Sequence, residues 1–280
     1  SELLMSLVAG LAASNPPKLQ RSVGGSRGRA DGVPPVQETT MTAPATDISV
    51  MTSGTFTAAL FALAPRLERL TGKKIVARTT SVGTGETSIP NRLKRGEVAD
   101  IVIVADDLLR RFIAEGLVLA DGHRPVARSS IGMAVRAGAS KPDISSADAL
   151  RRVLLQAKSI GYSASVSGEY LTTELYQRLA IADQVMNKSR LIGEGERVGA
   201  VIARGELDIG FQQMSELLPV PGIAHITPLP PELQKVSVFS AGVGASHRDA
   251  ALARAAIQFL ASAEAAPAIV GTGLEPIGQG

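Results

Sequence analysis

Residues 47–56 read Asp47-Ile48-Ser49-Val50-Met51-Thr52-Ser53-Gly54-Thr55-Phe56. Ile48, Val50 and Met51 make a short buried strand, and Thr52-Ser53-Gly54-Thr55 breaks the apolar run. Beyond the break, Phe56, Leu60, Leu63, Leu67 and Leu70 recur at steps of 4, 3, 4 and 3, which is one face of a helix. Thr71-Gly72 supplies its stop. A strand therefore runs into a hydroxyl-rich turn, and the turn opens a helix. The first N–H groups of a helix lack internal partners, and its dipole makes that end partly positive. Small hydroxyl residues there either cap the helix or help hold an anion.

The same arrangement recurs along the chain. Lys74–Thr79 is a short strand before the turn Ser81-Val82-Gly83-Thr84-Gly85-Glu86-Thr87, and a helix starts at Ile89 with Thr87 or Ser88 as cap and Pro90 in its first turn. Asp100–Val104 is a β-branched run expected of a strand covered on both faces. Asp106 and Asp107 open a further helix, where an acidic first turn suits the dipole. Residues 121–130 look like a crossing between units. Ser159–Tyr162 is a strand leading into Ser163-Ala164-Ser165-Val166-Ser167-Gly168, and Asp208–Phe211 runs into Gln212-Gln213-Met214-Ser215. Five prolines from Pro219 to Pro231 mark irregular connections, and a strand returns over 236–241.

Strand–helix alternation of this kind predicts an α/β fold with mostly parallel sheets. Ligands of such sheets sit beyond the carboxyl ends of the strands. Four polar turns qualify, at 52–55, 81–87, 163–168 and 212–215, and a site using all of them lies between two lobes. The expected organisation is a leader or linker over 1–46, one lobe from 47–123 and 238–280, and a second from 124–237.

Composition narrows the chemistry. The chain has 280 residues, 45% apolar and 20% charged, enough for one large domain or two medium ones. It carries 6 Phe, 3 Tyr and no Trp, with a net charge of only +3, which speaks against a stacking or basic nucleic-acid surface. There is no cysteine, and His123, His225 and His247 are scattered, so no thiolate or histidine metal site and no cofactor are called for. No apolar run is long enough to cross a membrane, so no direct membrane insertion is expected. Residues 3–13 have the apolar core and small-residue exit of a signal peptide without its basic start, and Met41 is an alternative beginning. A signal remnant implies the periplasm; otherwise the reading is cytoplasmic.

Candidate ligand residues follow from the turns. They are Thr52, Ser53 and Gly54 in the first, Ser81, Gly83 and Thr84 in the second, Ser163, Ser165 and Ser167 in the third, and Gln212 and Gln213 in the fourth. Three serines within five residues exceed what capping needs. Taken singly, each turn reads as a helix cap; four at strand ends read as an anion cradle. Arg92 and Arg128 are the cations nearest the turns, read either as solvated charges or as bidentate partners for a carboxylate. Tyr170 opens a helix beside the third turn, a place from which it can face the cleft. Gly83-Thr84-Gly85 continues neither as a dinucleotide fingerprint nor as a P-loop. No G-x-S-x-G and no Ser/His pair mark a nucleophile, so the catalytic residue is left open.

Three blocks carry a resemblance: Val50–Ala59, Ile209–Gln213 and, the most specific, Arg92-Leu93-Lys94-Arg95-Gly96-Glu97-Val98-Ala99-Asp100-Ile101-Val102-Ile103. Over about 47–276 the chain resembles the periplasmic molybdate-binding-protein-like branch of the type II solute-binding proteins, which includes aconitate-isomerase-like members. The resemblance implies two α/β lobes joined by crossings near 121–130 and 234–240, closing on a small anionic ligand, with an ABC transporter membrane component as partner. Ser53 matches the family's first-turn serine. The consecutive serines of the family's second turn are replaced by Thr84-Gly85-Glu86-Thr87, and its late tyrosine gives way around Gln212-Gln213. The expected ligand is a small oxyanion or an organic carboxylate; these departures suit the carboxylate better, with Arg92 or Arg128 as counter-charge, and keep open an isomerase of an unsaturated polycarboxylate acting by proton transfer.

Overall fold

A computed structural model describes residues 47–193 and 195–277; the leader and signal readings over 1–46 lie outside the described residues. In chain order the first elements are β1 (Asp47–Thr52), α1 (Gly54–Thr71), β2 (Lys74–Thr79), α2 (Ile89–Lys94), β3 (Ile101–Ala105), α3 (Asp106–Ala114), β4 (Arg124–Ser129) and β5 (Ile131–Arg136). Then come α4 (Ala147–Gln156), β6 (Ile160–Ser163), α5 (Val166–Tyr170), α6 (Tyr176–Arg178), α7 (Ala182–Val185), β7 (Ser189–Ile192), α8 (Val198–Ala203), β8 (Ile209–Gln213) and α9 (Met214–Leu217). The last are β9 (Ile223–Pro228), β10 (Ser237–Val243), α10 (Ala250–Leu260), α11 (Ala266–Val270) and β11 (Glu275–Pro276).

The strands form two sheets, ordered β11-β4-β10-β3-β1-β2 and β7-β6-β8-β5-β9. Both are mixed rather than mostly parallel. β2, β1 and β3 run parallel, while β10 is antiparallel to β3 and β4. β7, β6 and β8 run parallel, while β5 is antiparallel to β8 and β9. The strands that run against the parallel set are β10 and β11 in the first sheet and β5 in the second; β9, which the proline-rich reading of 219–231 had not identified as a strand, pairs antiparallel with β5. β7 likewise went unread. β4 belongs to the first sheet, so the first crossing is Ser129–Ile131, later than the expected boundary at 123/124. The second crossing runs from β9 back to β10. The Gln234 side chain stitches the two together, accepting from Ile131 N (2.9 Å) and donating to Ile131 O (3.0 Å).

Why these residues form these layers is visible in β1 and β3. Side chains alternate across a strand. Ile48, Val50, Ile101 and Ile103 join one core with Phe56, Leu60, Leu63 and Leu67 of α1. Met51, Val102 and Val104 join another on the opposite face with Ile89, Leu109 and Phe112. Full burial of such side chains is worth about 1.5–3 kcal/mol each. The α1 stripe ends at Leu67; Leu70 is exposed, and Gly72 closes the helix in the left-handed region at φ 65°. The second sheet has the same two-sided construction, with Met133 and Phe211 on one face and Ala134, Val198 and Ile202 on the other.

Two polar clusters fix the first lobe. Asp100 accepts from Ser49 N (2.8 Å), Arg248 N (2.8 Å) and Arg248 Nη2 (2.6 Å). Arg248 also reaches Asp47 at 3.0 Å. Asp106 stands in the first turn of α3, as read, and also ties that turn to β10 and the 121–123 loop through Ser240 Oγ (2.5 Å) and His123 Nε2 (2.6 Å).

Candidate functional site

The carboxyl ends of β1, β2 and β3 face those of β6, β7 and β8 across a cavity of about 470 Å³. The first lobe contributes Ser53, Gly54, Thr55, Thr79, Thr80 and Ser81, with Ala58, Phe61 and Leu108 as apolar wall. The second contributes Ser163, Ser165, Arg197, Gln212, Ser215 and Glu216.

Whether these hydroxyls cap helices is decided by their hydrogen bonds. Ser53 is the N-cap residue of α1, yet its side chain makes no cap bond, and its buried Oγ has no partner among the described residues. Ser165, at the N-cap of α5, makes none either. Ser163, Ser165 and Ser167 instead form a chain of hydroxyls, Oγ to Oγ at 3.0 and 2.9 Å. Away from the cavity, Ser146 accepts from Ala149 N at 3.2 Å and Asp249 from Leu252 N at 2.9 Å, whereas Ser88, at the N-cap of α2, makes no cap bond. Serines at the cavity thus keep acceptor and donor capacity that a capping role would have consumed.

Glu216 is the acidic feature of the site. It sits on the first turn of α9, in the second lobe, and its side chain reaches the start of α1 in the first. Thr55 Oγ1 donates to Glu216 Oε1 at 2.9 Å, and Ser215 Oγ donates to Thr55 O at 2.8 Å. A Cβ on Gly54 would lie 2.8 Å from Glu216 Oε1, so the missing side chain is what admits the carboxyl there. Burial pushes the Glu216 carboxyl up; the Thr55 hydroxyl, the Arg197 charge and the Gln212 amide pull the other way without cancelling it.

Of the residues expected from the sequence, Ser53, Gly54, Ser81, Ser163, Ser165 and Gln212 line this cavity. The others do not. Thr52 is fully buried and donates to Ser53 O. Gly83 donates its N–H to Ser81 Oγ (3.2 Å), and Thr84 is exposed, its carbonyl accepting from Asn91. Ser167 is buried behind Ser165. Tyr170 points away into the second core, donating to Leu233 O at 2.6 Å. Gln213 alternates to the other side of β8 from Gln212 and is buried with neither amide atom partnered among the described residues.

Neither expected cation reaches the cavity. Arg92 is paired with Glu97 through Nε (2.8 Å) and Nη2, and Arg128 is exposed on β4. The cation at the cavity is Arg197, at the N-cap of α8, with Glu196 beside it held by Arg204. Sequence reading missed Arg197 because the segment before it has no periodicity. It missed Glu216 because only the fold brings α9 to α1; the available signal was its spacing of four residues from Gln212. Among the described residues, no group of three or more His, Cys, Asp and Glu is placed to hold a metal, and no helix is long and apolar enough to cross a membrane.

Comparison with known proteins agrees with this architecture. The sequence profile of a family described as bacterial extracellular solute-binding protein matches residues 48–275. An aconitate isomerase of a Pseudomonas species is 42% identical over 235 residues, covering 84% of this chain and 89% of that protein. The periplasmic molybdate-binding protein of Azotobacter vinelandii superposes with a TM-score of 0.65 at 17% identity, over 83% of this chain and all of that one. The PBP AgtB of A. tumefacien R10, in complex with agropinic acid, gives 0.60 at 14% identity, over 82% and 83%. At such identities the two solved structures speak for the fold alone.

Proposed function

The chain belongs to the bacterial extracellular solute-binding protein family, and on that premise we propose that its cleft takes up a small organic carboxylate. The observation that carries this reading is the convergence on one cavity of hydroxyls that cap no helix (Ser53, Ser163 and Ser165), Arg197, and the N-terminus of the 18-residue α1. Hydroxyls, an arginine and a helix N-terminus together hold anionic oxygens. The cavity volume supports an organic anion over a bare tetrahedral oxyanion, since pockets of roughly 300–1,000 Å³ are those that enclose small organic ligands. The apolar wall of Ala58, Phe61 and Leu108 suits a carbon skeleton between the charged ends.

A second reading is supported by the 42% identical relative and by the buried carboxyl in the cavity. In it, the bound ligand is an unsaturated polycarboxylate, such as aconitate, whose double bond moves by proton transfer. As a receptor, the chain works outside the cytoplasmic membrane with an ABC transporter component as partner. As an isomerase, it needs no such partner.

A thermal-shift panel tests binding. A ligand that binds only the folded chain stabilises it by about 2.7 kcal/mol at a hundred times Kd. Cis-aconitate, trans-aconitate or citrate is expected to raise Tm, whereas molybdate, tungstate and sulfate are not. A shift with molybdate and none with carboxylates overturns the proposal. Incubation with cis-aconitate, followed by chromatography for the trans isomer, separates enzyme from receptor.

A further inference from the structure

The described acidic residues lining the cavity are Glu196 and Glu216, and Glu196 is tied to Arg204. Glu216 has no ion pair among the described residues, faces the cavity from a buried position, and is oriented from the opposite lobe by Thr55. We propose that Glu216 is the catalytic residue of the double-bond shift, the base that removes a proton from one carbon of the ligand and the acid that returns it to another. The inference rests on the isomerase reading and assigns that reading its proton carrier.

The step balances without a further reactant. The Glu216 carboxylate takes the proton from the methylene carbon next to the double bond; that C–H bond breaks and an O–H bond forms. The electron pair spreads over the three carbons and into the carboxylate attached to the far one. The protonated Glu216 then gives its proton to that far carbon, the double bond comes to rest on the other side, and the carboxylate is regenerated. A carboxylate suits the task because its two oxygens span about the same distance as the two outer carbons of the three-carbon unit.

The surroundings meet the two demands on such a group. It must be basic enough to take a carbon-bound proton, and burial away from water provides that. It must also be held in one orientation. Thr55 Oγ1 fixes Oε1 at 2.9 Å, and Gly54 leaves the space in which the carboxyl lies. Charge that spreads onto the ligand is met by Arg197, the Ser163–Ser165 hydroxyls and the start of α1.

The experiment compares the wild-type chain with E216Q for interconversion of cis- and trans-aconitate and for the Tm shift given by trans-aconitate. Expected are turnover by the wild type, a fall in kcat of at least about 100-fold in E216Q, and a retained ligand-induced shift in that variant. E216Q turning over within about threefold of wild type overturns the assignment while leaving the isomerase reading standing. Loss of the ligand-induced shift together with turnover also overturns it, because Glu216 would then serve binding. Absence of turnover by the wild type overturns the isomerase reading and the assignment with it.

Discussion

Thr55 and Glu216 are 161 residues apart in sequence, yet Thr55 Oγ1 donates to Glu216 Oε1 at 2.9 Å across the cleft, joining α1 of the first lobe to α9 of the second. Ser215 Oγ adds a parallel bond to the Thr55 carbonyl at 2.8 Å. The contact places a buried carboxyl where the helix dipole is most positive, and several measurable properties follow from it.

Glu216 should make the free protein less stable as pH rises. Its carboxyl is pushed above the ordinary value of 4.5 by burial, so the folded chain holds a proton that the unfolded chain releases. The stabilising contribution of the neutral form is complete below pH 4.5 and is lost as pH climbs through the raised value. Urea titrations from pH 4.5 to 8 should show the wild type losing stability relative to E216Q. Parallel curves for the two proteins would refute it.

Gly54→Ala should act through Glu216 alone. The new Cβ would lie 2.8 Å from Oε1 and 3.0 Å from Cδ, while helix propensity at that site favours alanine. Crowding of this kind costs about 1–3 kcal/mol. In a Glu216→Ala background the clash has no partner, so the same change should be neutral or stabilising. A double-mutant cycle by urea denaturation reads the coupling.

Arg197→Ala should weaken trans-aconitate binding by about ten- to a hundredfold, the loss expected for a charged hydrogen-bond partner. Arg92→Ala and Arg128→Ala should leave Kd unchanged. Arg92 is committed to Glu97, so its removal shows in Tm instead, at about 1 kcal/mol or less for a partly exposed pair. Isothermal titration of the three variants decides which arginine serves the ligand.

Arg248→Ala should destabilise the first lobe without touching the cleft. Burial alone would raise the Asp100 carboxyl, but hydrogen bonds from the Arg248 side chain and N–H and from Ser49 N–H overcome it and hold it below 3.8. The Asp100 side chain is 5% exposed, and stripping a buried charge of its partner costs about 3–5 kcal/mol. In the wild type this contribution is present above pH 3.8 and is lost as pH falls through the depressed value. Acid unfolding of the variant should therefore begin at higher pH, with trans-aconitate affinity at pH 7 unchanged.

The strand–turn–helix units were legible because backbone geometry writes them locally. The Phe56, Leu60, Leu63 and Leu67 stripe needs no knowledge of the rest of the chain. Gln212 and Gln213 were both read as ligand residues, and strand alternation lets only Gln212 line the cavity. Ser53 was harder. Its position at a helix start is readable, but whether its hydroxyl caps the helix depends on a rotamer, and here it does not. Tyr170 shows the limit from the other side: its place beside the serine turn suggested the cleft, while packing of α5 sends its hydroxyl to Leu233.

By itself, the sequence determined a two-lobed α/β chain with hydroxyl turns at the strand ends, because strand and helix periods and turn chemistry are properties of neighbouring residues. Only the tertiary structure decided which charges meet there. Arg92 finds a carboxylate five residues away and is spent on it, whereas Arg197 and Glu216, from segments with no periodic signal, are delivered to the cavity by the two crossings. A contact between residues 161 positions apart depends on how the lobes face each other, and no local pattern encodes that.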